Sequence, residues 1–294
     1  MTIAVTGTSG HLGRLVVESL LTRGAAPADV VALVRSTGRS TDKVADLVAR
    51  GIAVREADYD RPETLAPALD GVDVLVLVSG SAVGQRVRQH GAVIDAAKGA
   101  GVGRVIYTSA PHADTSPLVL APEHKATEEL LAASGLSTTL LRNGWYTENY
   151  VGDVQQARET GEIAHSVGDG RVASASREDY AEAAAVVALE AARDGAHDGA
   201  VYELSGDVAW DLDELAATAA EILGRPVAYR RLTADEHRER LLAAGLDEGT
   251  AGFVVALDGN TRDGLLAETS GDLARLIGRP TTPLADGLRR ALDS

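Results

Sequence analysis

Short apolar segments alternate with amphipathic segments over the first half of the chain. The apolar segments include TIAVTG, VVALVR, VDVLVLVSG and GRVIYTS, and each is typical of a buried strand. Between them lie segments with a helical period; HLGRLVVESLLTRG, for example, places Leu12, Leu15, Val16 and Leu20 on one face. Strands that are apolar throughout and separated by helices predict an α/β fold, a Rossmann-type doubly wound parallel sheet covered on both faces.

The alternation weakens after residue 150. VASASREDYAEAAAVVALEAARDG predicts a short strand and a long helix, AVYELSG predicts a strand that could return to the sheet, and PVAYRRL is a further possible strand. The remaining segments are helix-rich. We therefore expect an NADP-binding Rossmann domain over residues 1–150, its sheet completed by 200–206, and over 151–294 mostly a smaller, helix-rich C-terminal lobe that binds the substrate.

A glycine-rich turn follows the first strand. TGTSGHLG places Gly7, Gly10 and Gly13 between that strand and the first helix, in a G-x-x-G-x-x-G spacing. Gly7 permits the tight turn, Gly10 lets the backbone approach a pyrophosphate, and Gly13 lets the helix pack closely on the sheet. Because the motif lies between a strand and a helix, it predicts a dinucleotide site rather than a purely structural turn.

The end of the second strand distinguishes NADPH from NADH. The segment ALVRSTGRS carries Arg35, then Ser36, Arg39 and Ser40, with no carboxylate before Asp42. A carboxylate here would accept from the ribose 2′-OH of NADH and repel a 2′-phosphate, whereas an arginine pairs with the phosphate. The alternative is a solvated surface arginine. The pattern favours NADP(H).

The composition of the chain argues against several classes of partner and of site. The net charge of −15 argues against nucleic acid as the main partner. No segment approaches the ~18–20 apolar residues of a membrane span. The absence of cysteine excludes disulfides, thiolate catalysis and cysteine-based zinc sites. No secretory signal is visible, so we expect a cytoplasmic protein.

The segment RNGWYTENY holds three of the ten aromatic residues of the chain. It follows the sixth predicted strand, at the carboxyl edge where open α/β sheets bind ligands. The amide N–H of Asn143 can donate a hydrogen bond to a carbonyl oxygen on which negative charge develops, and the ring of Trp145 or Tyr146 can contact the face of a flat aromatic substrate. Asn143 and Tyr146 are therefore the candidate catalytic residues. The alternative is that these aromatic side chains only join the lobe to the large domain.

Several strings together resemble the NmrA-like branch of the atypical short-chain dehydrogenases, and within it the bacterial NAD(P)H:quinone oxidoreductases. They are TGTSGHLG, READYDRPETLAPALDGVDVLVLVS, VGQR, YTSAPHADTSPLVLAPEH and TLLRNGWYTENY. The resemblance is specific from Met1 to about Asp179 and looser beyond. The chain departs from it at Gly80, where relatives tend to have Ser, and at His11, where Gln is frequent. Neither change removes a charge that the cofactor needs.

The resemblance implies a Rossmann domain with a small C-terminal domain, NADP(H) as the cofactor, and reduction of a small-molecule quinone without flavin. Carried over by position, it implies cofactor contacts from Gly7, Thr8, Ser9, Gly10, His11, Leu12, Arg35, Ser79, Gly80, Ser81, Asn143, Gly144, Trp145, Tyr146, Thr147 and Glu148. No metal site is expected. The oligomeric state stays open, a homodimer included.

Most short-chain dehydrogenases use a Tyr acid with a Lys four residues later, and none of the seven tyrosines here has that lysine. A quinone can accept hydride without a strong acid, because its reduced product is a stabilised phenolate. The sequence therefore predicts an NADPH-dependent quinone reductase. Two alternatives remain: an NADP(H)-binding redox sensor without turnover, and a reductase of another activated carbonyl or enone.

Other polar residues are weaker candidates. On the loop after the fifth strand, His112 could protonate the product, but an ordering hydrogen bond to its own backbone is at least as well supported. His124 and Glu128 share a helix face, and without a third metal ligand a surface or lobe-packing role is favoured. Arg86 and Arg88 are expected on a solvated helix face.

Overall fold

The computed structural model describes residues 1–293, except for the side chains of residues 39–41. Arg39 and Ser40, which follow Arg35 in the second-strand motif, therefore lie outside the described side chains.

A seven-stranded parallel sheet forms the centre of the molecule. Its strands are β1 (Ile3–Val5), β2 (Val30–Val34), β3 (Ala53–Glu56), β4 (Val74–Leu77), β5 (Arg104–Ser109), β6 (Ser137–Asn143) and β9 (Val201–Leu204). They lie in the order β3-β2-β1-β4-β5-β6-β9. The chain reverses its direction of winding between β1 and β4, which is where doubly wound sheets open a ligand crevice. The predicted fold class is confirmed.

Four short strands lie outside this sheet: β7 (Glu162–His165), β8 (Arg171–Val172), β10 (Trp210–Asp211) and β11 (Ala228–Arg231). The helices are α1 (His11–Thr22), α2 (Thr37–Ala49), α3 (Leu65–Ala68), α4 (Arg86–Gly99), α5 (Ala121–Ser134), α6 (Val151–Thr160), α7 (Arg177–Asp194), α8 (Leu212–Leu223), α9 (Ala234–Ala243), α10 (Glu248–Arg262), α11 (Asp272–Ile277) and α12 (Leu284–Asp293). Within the described residues, none of these helices has the length and apolar character needed to cross a membrane.

Helices cover both faces of the sheet. On one face, α1 and α7 bury Val16, Leu20 and Tyr180 against strand residues such as Val5 and Val76. On the other face lie α3, α4 and α5, packed on strands β4 and β5. The inner face of α7 is built from alanines, which let it approach α1 closely: Ala181, Ala184, Ala185 and Ala188. Although α7 follows residue 150, it packs in the large unit, so the domain boundary near 150 stays a prediction.

A smaller lobe is built from two-stranded pairs and the C-terminal helices. The predicted strand at PVAYRRL is β11, which pairs in parallel with β7, placing Tyr229 opposite Ile163. The lobe core contains Val154, Trp210 and Leu215. Because this core is separate from the two layers of the sheet, the lobe forms its own packing unit above the carboxyl edge.

Candidate cofactor and acceptor site

The glycine-rich turn between β1 and α1 forms a cradle for an anion. Gly7 has φ +65°, and its carbonyl accepts from the N–H of Gly10 at 2.9 Å. A Cβ on Gly13 would lie 2.5 Å from the carbonyl oxygens of Thr6 and Gly7, so only glycine fits there. The first turn of α1 has no acidic residue and no side-chain cap. Its free N–H groups and the positive end of the helix therefore favour a phosphate.

A cavity of about 670 Å³ lies beside this cradle. Most of the cofactor residues expected from the sequence line it: Gly7, Ser9, Gly10, His11, Leu12, Arg35, Ser79, Gly80 and Ser81. Three separate chain segments therefore meet at one cavity, and its volume lies within the usual range for cofactor sites, roughly 300–1,000 Å³. An adjoining cavity of about 510 Å³ shares Ser9, Gly10 and His11 and is also lined by Thr8.

Arg35 extends from the end of β2 into the wall of the larger cavity. Its side chain is exposed, and among the described residues it has no ion-pair partner. Neighbouring arginines differ in this respect: Arg14 pairs with Glu18 at 3.0 Å, and Arg61 pairs with Glu56 at 2.6 Å. Asp60 lies near enough for its pKa to be lowered by the Arg35 charge, but it pairs directly with Arg88 instead. An exposed cation without a direct ion pair suits the 2′-phosphate of NADPH.

The loop after β3 also lines this cavity, through Asp58, Tyr59 and Asp60. The hydroxyl of Tyr59 donates to the carbonyl of Val78 at 3.2 Å, and burial raises the pKa of Tyr59. Sequence reasoning missed this loop. The loop follows a parallel strand of the sheet, whose carboxyl end must lie at the same edge as those of its neighbours.

Arg177 is a second residue that the sequence did not single out. It begins α7, lines both cavities, and donates its backbone N–H to Glu148 Oε1 at 2.8 Å. Its guanidinium lies 4.9 Å from the ring centroid of Tyr146. Arg177 therefore connects the loop after β6 with the two cavities, and no sequence motif marks it.

Asn143 ends β6 and is 6 % exposed. Neither the nitrogen nor the oxygen of its side-chain amide has a hydrogen-bond partner among the described residues. Buried polar groups are nearly always satisfied, so an unpartnered amide at the ligand-binding edge of the sheet is suited to a ligand. Tyr146 is its neighbour. Burial raises the pKa of the Tyr146 phenol, and the nearby Asn143 amide lowers that pKa by a smaller amount. The two side chains do not meet the geometry of a normal hydrogen bond.

The other aromatic residues of this loop pack into the lobe. Trp145 contacts the lobe core, and the ring of Tyr150 lies edge-on to Trp210 with centroids 4.9 Å apart. Thr147 is 1 % exposed, and its hydroxyl is hydrogen-bonded to Ser174 at 2.8 Å. The loop thus has two parts, one joining the lobe and one at the sheet edge.

Asn143 and Tyr146 line neither of the two large cavities, so the structure does not bring them into the wall formed by the cofactor residues.

His112 lies on the loop after β5 with φ +45°, a left-handed conformation that is uncommon for residues other than glycine. Its Nδ1 is 3.3 Å from Glu203 Oε1, its Nε2 contacts Glu268, and its peptide N–H donates to Glu203. The expected hydrogen bond to its own backbone is therefore wrong, because two carboxylates hold the ring. With Gly144 and Leu266 it lines a cavity of about 20 Å³, enough for one water.

Arg86 does not lie on a solvated helix face, and that expectation is wrong. It is 7 % exposed, donates Nε–H to the carbonyl of Gly80 at 2.6 Å, and pairs with Glu123 at 3.1 Å. Arg88 is exposed and pairs with Asp60. The two arginines differ because only the first faces α5 and the loop after β4.

His124 is also buried, at 5 % exposure, which contradicts its expected surface or lobe-packing role. It lies in the large unit, where its Nδ1 is 2.8 Å from the hydroxyl of Tyr107. Burial, with a smaller effect of the Arg86 cation, lowers the pKa of His124 to about 3. Glu128 on the same helix instead accepts from Arg142 and Ser109.

One group of possible metal ligands exists among the described residues, and it lies in the lobe: His165, His237 and Asp258. Asp258 is already a well-satisfied acceptor, with its Oδ2 2.7 Å from the N–H of Ser166 and 2.9 Å from His237 Nδ1. The group lines none of the cavities above.

Comparisons with known proteins agree with this arrangement. A family model described as NAD(P)H-binding matches residues 7–191. The chain is 47 % identical to quinone oxidoreductase 2 of Escherichia coli strain K12 over 97 % of both chains. A crystal structure of the NADPH-dependent quinone oxidoreductase of E. coli complexed with NADPH superposes with TM-score 0.91 at 46 % identity, covering 98 % of this chain and 99 % of that one. The Citrobacter sp. triphenylmethane reductase complexed with NADP(H) superposes with TM-score 0.90 at 34 % identity, covering 99 % and 100 %.

Proposed function

The chain belongs to the NAD(P)H-binding family, and on that premise we propose that it is an NADPH-dependent quinone reductase. The overall reaction is NADPH plus a quinone plus a proton giving NADP⁺ and a hydroquinone. The strongest support is that the glycine cradle and the unpaired Arg35 line one cavity of about 670 Å³. The similarity to a quinone oxidoreductase over 97 % of both chains supports the acceptor class.

The cradle and Arg35 fit the two charged parts of NADPH. The N–H groups at the start of α1 hold the pyrophosphate, and Arg35 pairs with the 2′-phosphate. The wall formed by Ser79, Gly80, Ser81 and Ala82 lies along the same cavity. When bound, NADPH supplies the hydride, and the protein supplies binding, orientation and exclusion of water.

The loop after β6 supplies the acceptor side of the proposal. Asn143 has an amide N–H with no partner among the described residues, and it donates to the quinone oxygen on which negative charge develops. The ring of Tyr146 provides a flat contact surface for the quinone. Because the reduced quinone is a stabilised phenolate, this arrangement needs no Tyr–Lys pair, and solvent can deliver the final proton.

A wider range of acceptors is a second candidate. The chain is 34 % identical to a triphenylmethane reductase over nearly its whole length, and a site built from one amide and one ring selects for flat conjugated molecules rather than for a particular quinone. In this reading the quinone is one of several acceptors that can take hydride without a strong acid.

The proposal is tested by following NADPH oxidation at the absorbance of the reduced nicotinamide, with a panel of quinones, a triphenylmethane dye, an enone and simple ketones. We expect turnover with quinones and none with simple ketones. Turnover of the dye at a rate comparable with the quinones would establish the wider acceptor range. NADPH binding by calorimetry without turnover of any acceptor would overturn the reductase and favour an NADP(H)-binding sensor.

A further inference from the structure

We propose that His90 is a positioning residue that fixes the Ser79–Ala82 wall of the cofactor cavity by holding the peptide N–H of Gly80. The proposal rests on the proposed function, because it concerns how the same cavity receives NADPH. His90 lies on α4, behind the wall, and does not line the cavity itself.

Both polar groups of the Gly80 backbone are bound by side chains of α4. The N–H of Gly80 donates to His90 Nε2 at 3.0 Å, and Arg86 Nε–H donates to the carbonyl of Gly80 at 2.6 Å. His90 is fully buried and Arg86 is 7 % exposed. The backbone of Gly80 is therefore turned toward α4, so these contacts set the path of the wall.

The protonation state of His90 follows from its partners. A peptide N–H can only donate, so Nε2 must carry a lone pair and the ring must be neutral. The remaining proton is on Nδ1, which lies 3.0 Å from Thr127 Oγ1, and the hydroxyl of Thr127 donates to the carbonyl of Glu123 at 2.9 Å. Burial, with a contribution from the Arg86 cation, lowers the pKa of His90 to about 4. The acceptor is thus present throughout the neutral range.

Aromatic contacts fix the orientation of the imidazole. Tyr59 and Tyr107 lie edge-on to the ring, with centroid distances of 6.1 and 5.4 Å. Tyr59 also lines the cavity and donates to the carbonyl of Val78, next to the wall. The ring therefore cannot turn away from Gly80 without disturbing a second cavity residue.

Glu123 holds the far end of the same loop. It accepts from the N–H of Gly84 at 2.9 Å and pairs with Arg86. A loop with two glycines has much conformational freedom when it is unrestrained. Because His90, Arg86 and Glu123 order it in the folded protein, NADPH does not have to order it on binding.

His124 offers a matched control in the same layer. It is also buried, and burial also lowers its pKa, but it contacts Tyr107 rather than Gly80. Its replacement should cost stability and should affect the wall only indirectly, through Tyr107. A comparison of the two histidines separates positioning from simple packing.

The experiment compares His90→Leu, His90→Gln and His124→Leu with the wild type, by NADPH Kd from calorimetry, by KM and kcat, and by thermal midpoint. We expect His90→Leu to raise Kd and KM for NADPH roughly tenfold, as for the loss of one buried hydrogen bond. His90→Gln keeps an acceptor for the Gly80 N–H, and we expect it to stay within about threefold of the wild type. His124→Leu should lower the thermal midpoint and change Kd for NADPH much less than His90→Leu does.

Hydrogen exchange of the peptide covering residues 79–84 provides a readout without cofactor. We expect clearly faster exchange there in His90→Leu than in His124→Leu or the wild type. The proposal is overturned if both variants weaken NADPH binding equally, or if His90→Leu changes neither Kd nor exchange. If His90→Leu does not fold, failure of His90→Gln to keep NADPH affinity near the wild type overturns the proposal. Wild-type protein that binds NADPH but reduces no acceptor would refute the proposed function, while the Kd and exchange comparisons still decide on His90.

Discussion

The guanidinium of Arg177 lies 4.9 Å from the ring centroid of Tyr146, and it joins the start of α7 to the loop after β6. The ring of Tyr180 packs edge-on against the ring of Tyr146, with the two centroids 5.3 Å apart. Cation–π contacts of this kind stabilise by about 0.5–2 kcal/mol, depending on desolvation. Tyr146 is therefore held by two residues of one helix, and Arg177 is held where it can line both cavities.

Replacing Tyr146 with Ala should mainly raise KM for the quinone, because a lost ring contact affects the ground state and the transition state alike. Tyr146→Phe keeps the ring beneath Arg177 and serves as the matched control, with KM near the wild-type value. The measurement is steady-state kinetics over a range of quinone concentrations with NADPH saturating. A lower kcat with unchanged KM would contradict the role of Tyr146 as a contact surface.

Replacing Arg35 with Ala should weaken NADPH binding roughly ten- to a hundredfold, since a charge-assisted contact is worth on the order of 1.5–3 kcal/mol. Binding of NADH, which lacks the 2′-phosphate, should hardly change. Arg193 is an exposed arginine on α7, paired with Asp194, and Arg193→Ala controls for the general loss of a positive charge. Calorimetry with both nucleotides decides the question, and equal losses for NADPH and NADH would refute the assignment.

Replacing Asn143 with Ala should lower kcat with quinones by up to ~10²-fold if the amide acts as an oxyanion donor. NADPH affinity should change less than turnover. The amide makes no hydrogen bond of normal geometry among the described residues, so the loss of thermal midpoint should be no larger than the cavity left by one buried side chain explains. A variant that turns over quinone normally but melts many degrees lower would show that the residue is structural.

The large sheet could be predicted because its signal is local. Segments such as VVALVR and VDVLVLVSG are short, apolar throughout and rich in valine, a pattern typical of strands covered on both faces. The packing of α7 on α1 could not be predicted in the same way. Its face of alanines has little periodic contrast, and its partner lies far away in the sequence, so only the tertiary structure shows that this helix belongs to the large unit.

The candidate site shows the same division. The cradle and Arg35 could be found because glycine spacing and strand ends are sequence features. Arg86 was misassigned because the burial of a charged helix residue depends on a partner, Glu123, from another helix. The backbone hydrogen bond expected for His112 was wrong for a related reason: its two carboxylate partners, Glu203 and Glu268, come from distant parts of the chain. Contacts over such separations leave no pattern in one sequence.

A partly buried histidine in the lobe, His165, should make stability depend on pH. Burial alone would lower the pKa of His165, but hydrogen bonds with Asp153 and Asp258 outweigh it and raise the pKa to about 10, from an ordinary value of 6.5. Because the folded state holds this proton more tightly than the unfolded state, the stabilisation is complete below about pH 6.5 and is lost as pH rises to about 10. Thermal midpoints of the wild type measured across this window should fall as pH increases.

The matched variants for this prediction are His165→Gln and Asp153→Asn. His165→Gln lacks the titrating ring, so the difference in thermal midpoint between it and the wild type should be largest near pH 6.5 and shrink toward pH 10. Asp153→Asn removes the carboxylate 3.0 Å from His165 Nε2, so the stabilisation should be lost at a lower pH than in the wild type. Lysines and tyrosines that titrate at alkaline pH are common to all three proteins and cancel in these differences. Parallel curves for the wild type and His165→Gln over the whole window would show that His165 carries no extra proton in the folded lobe.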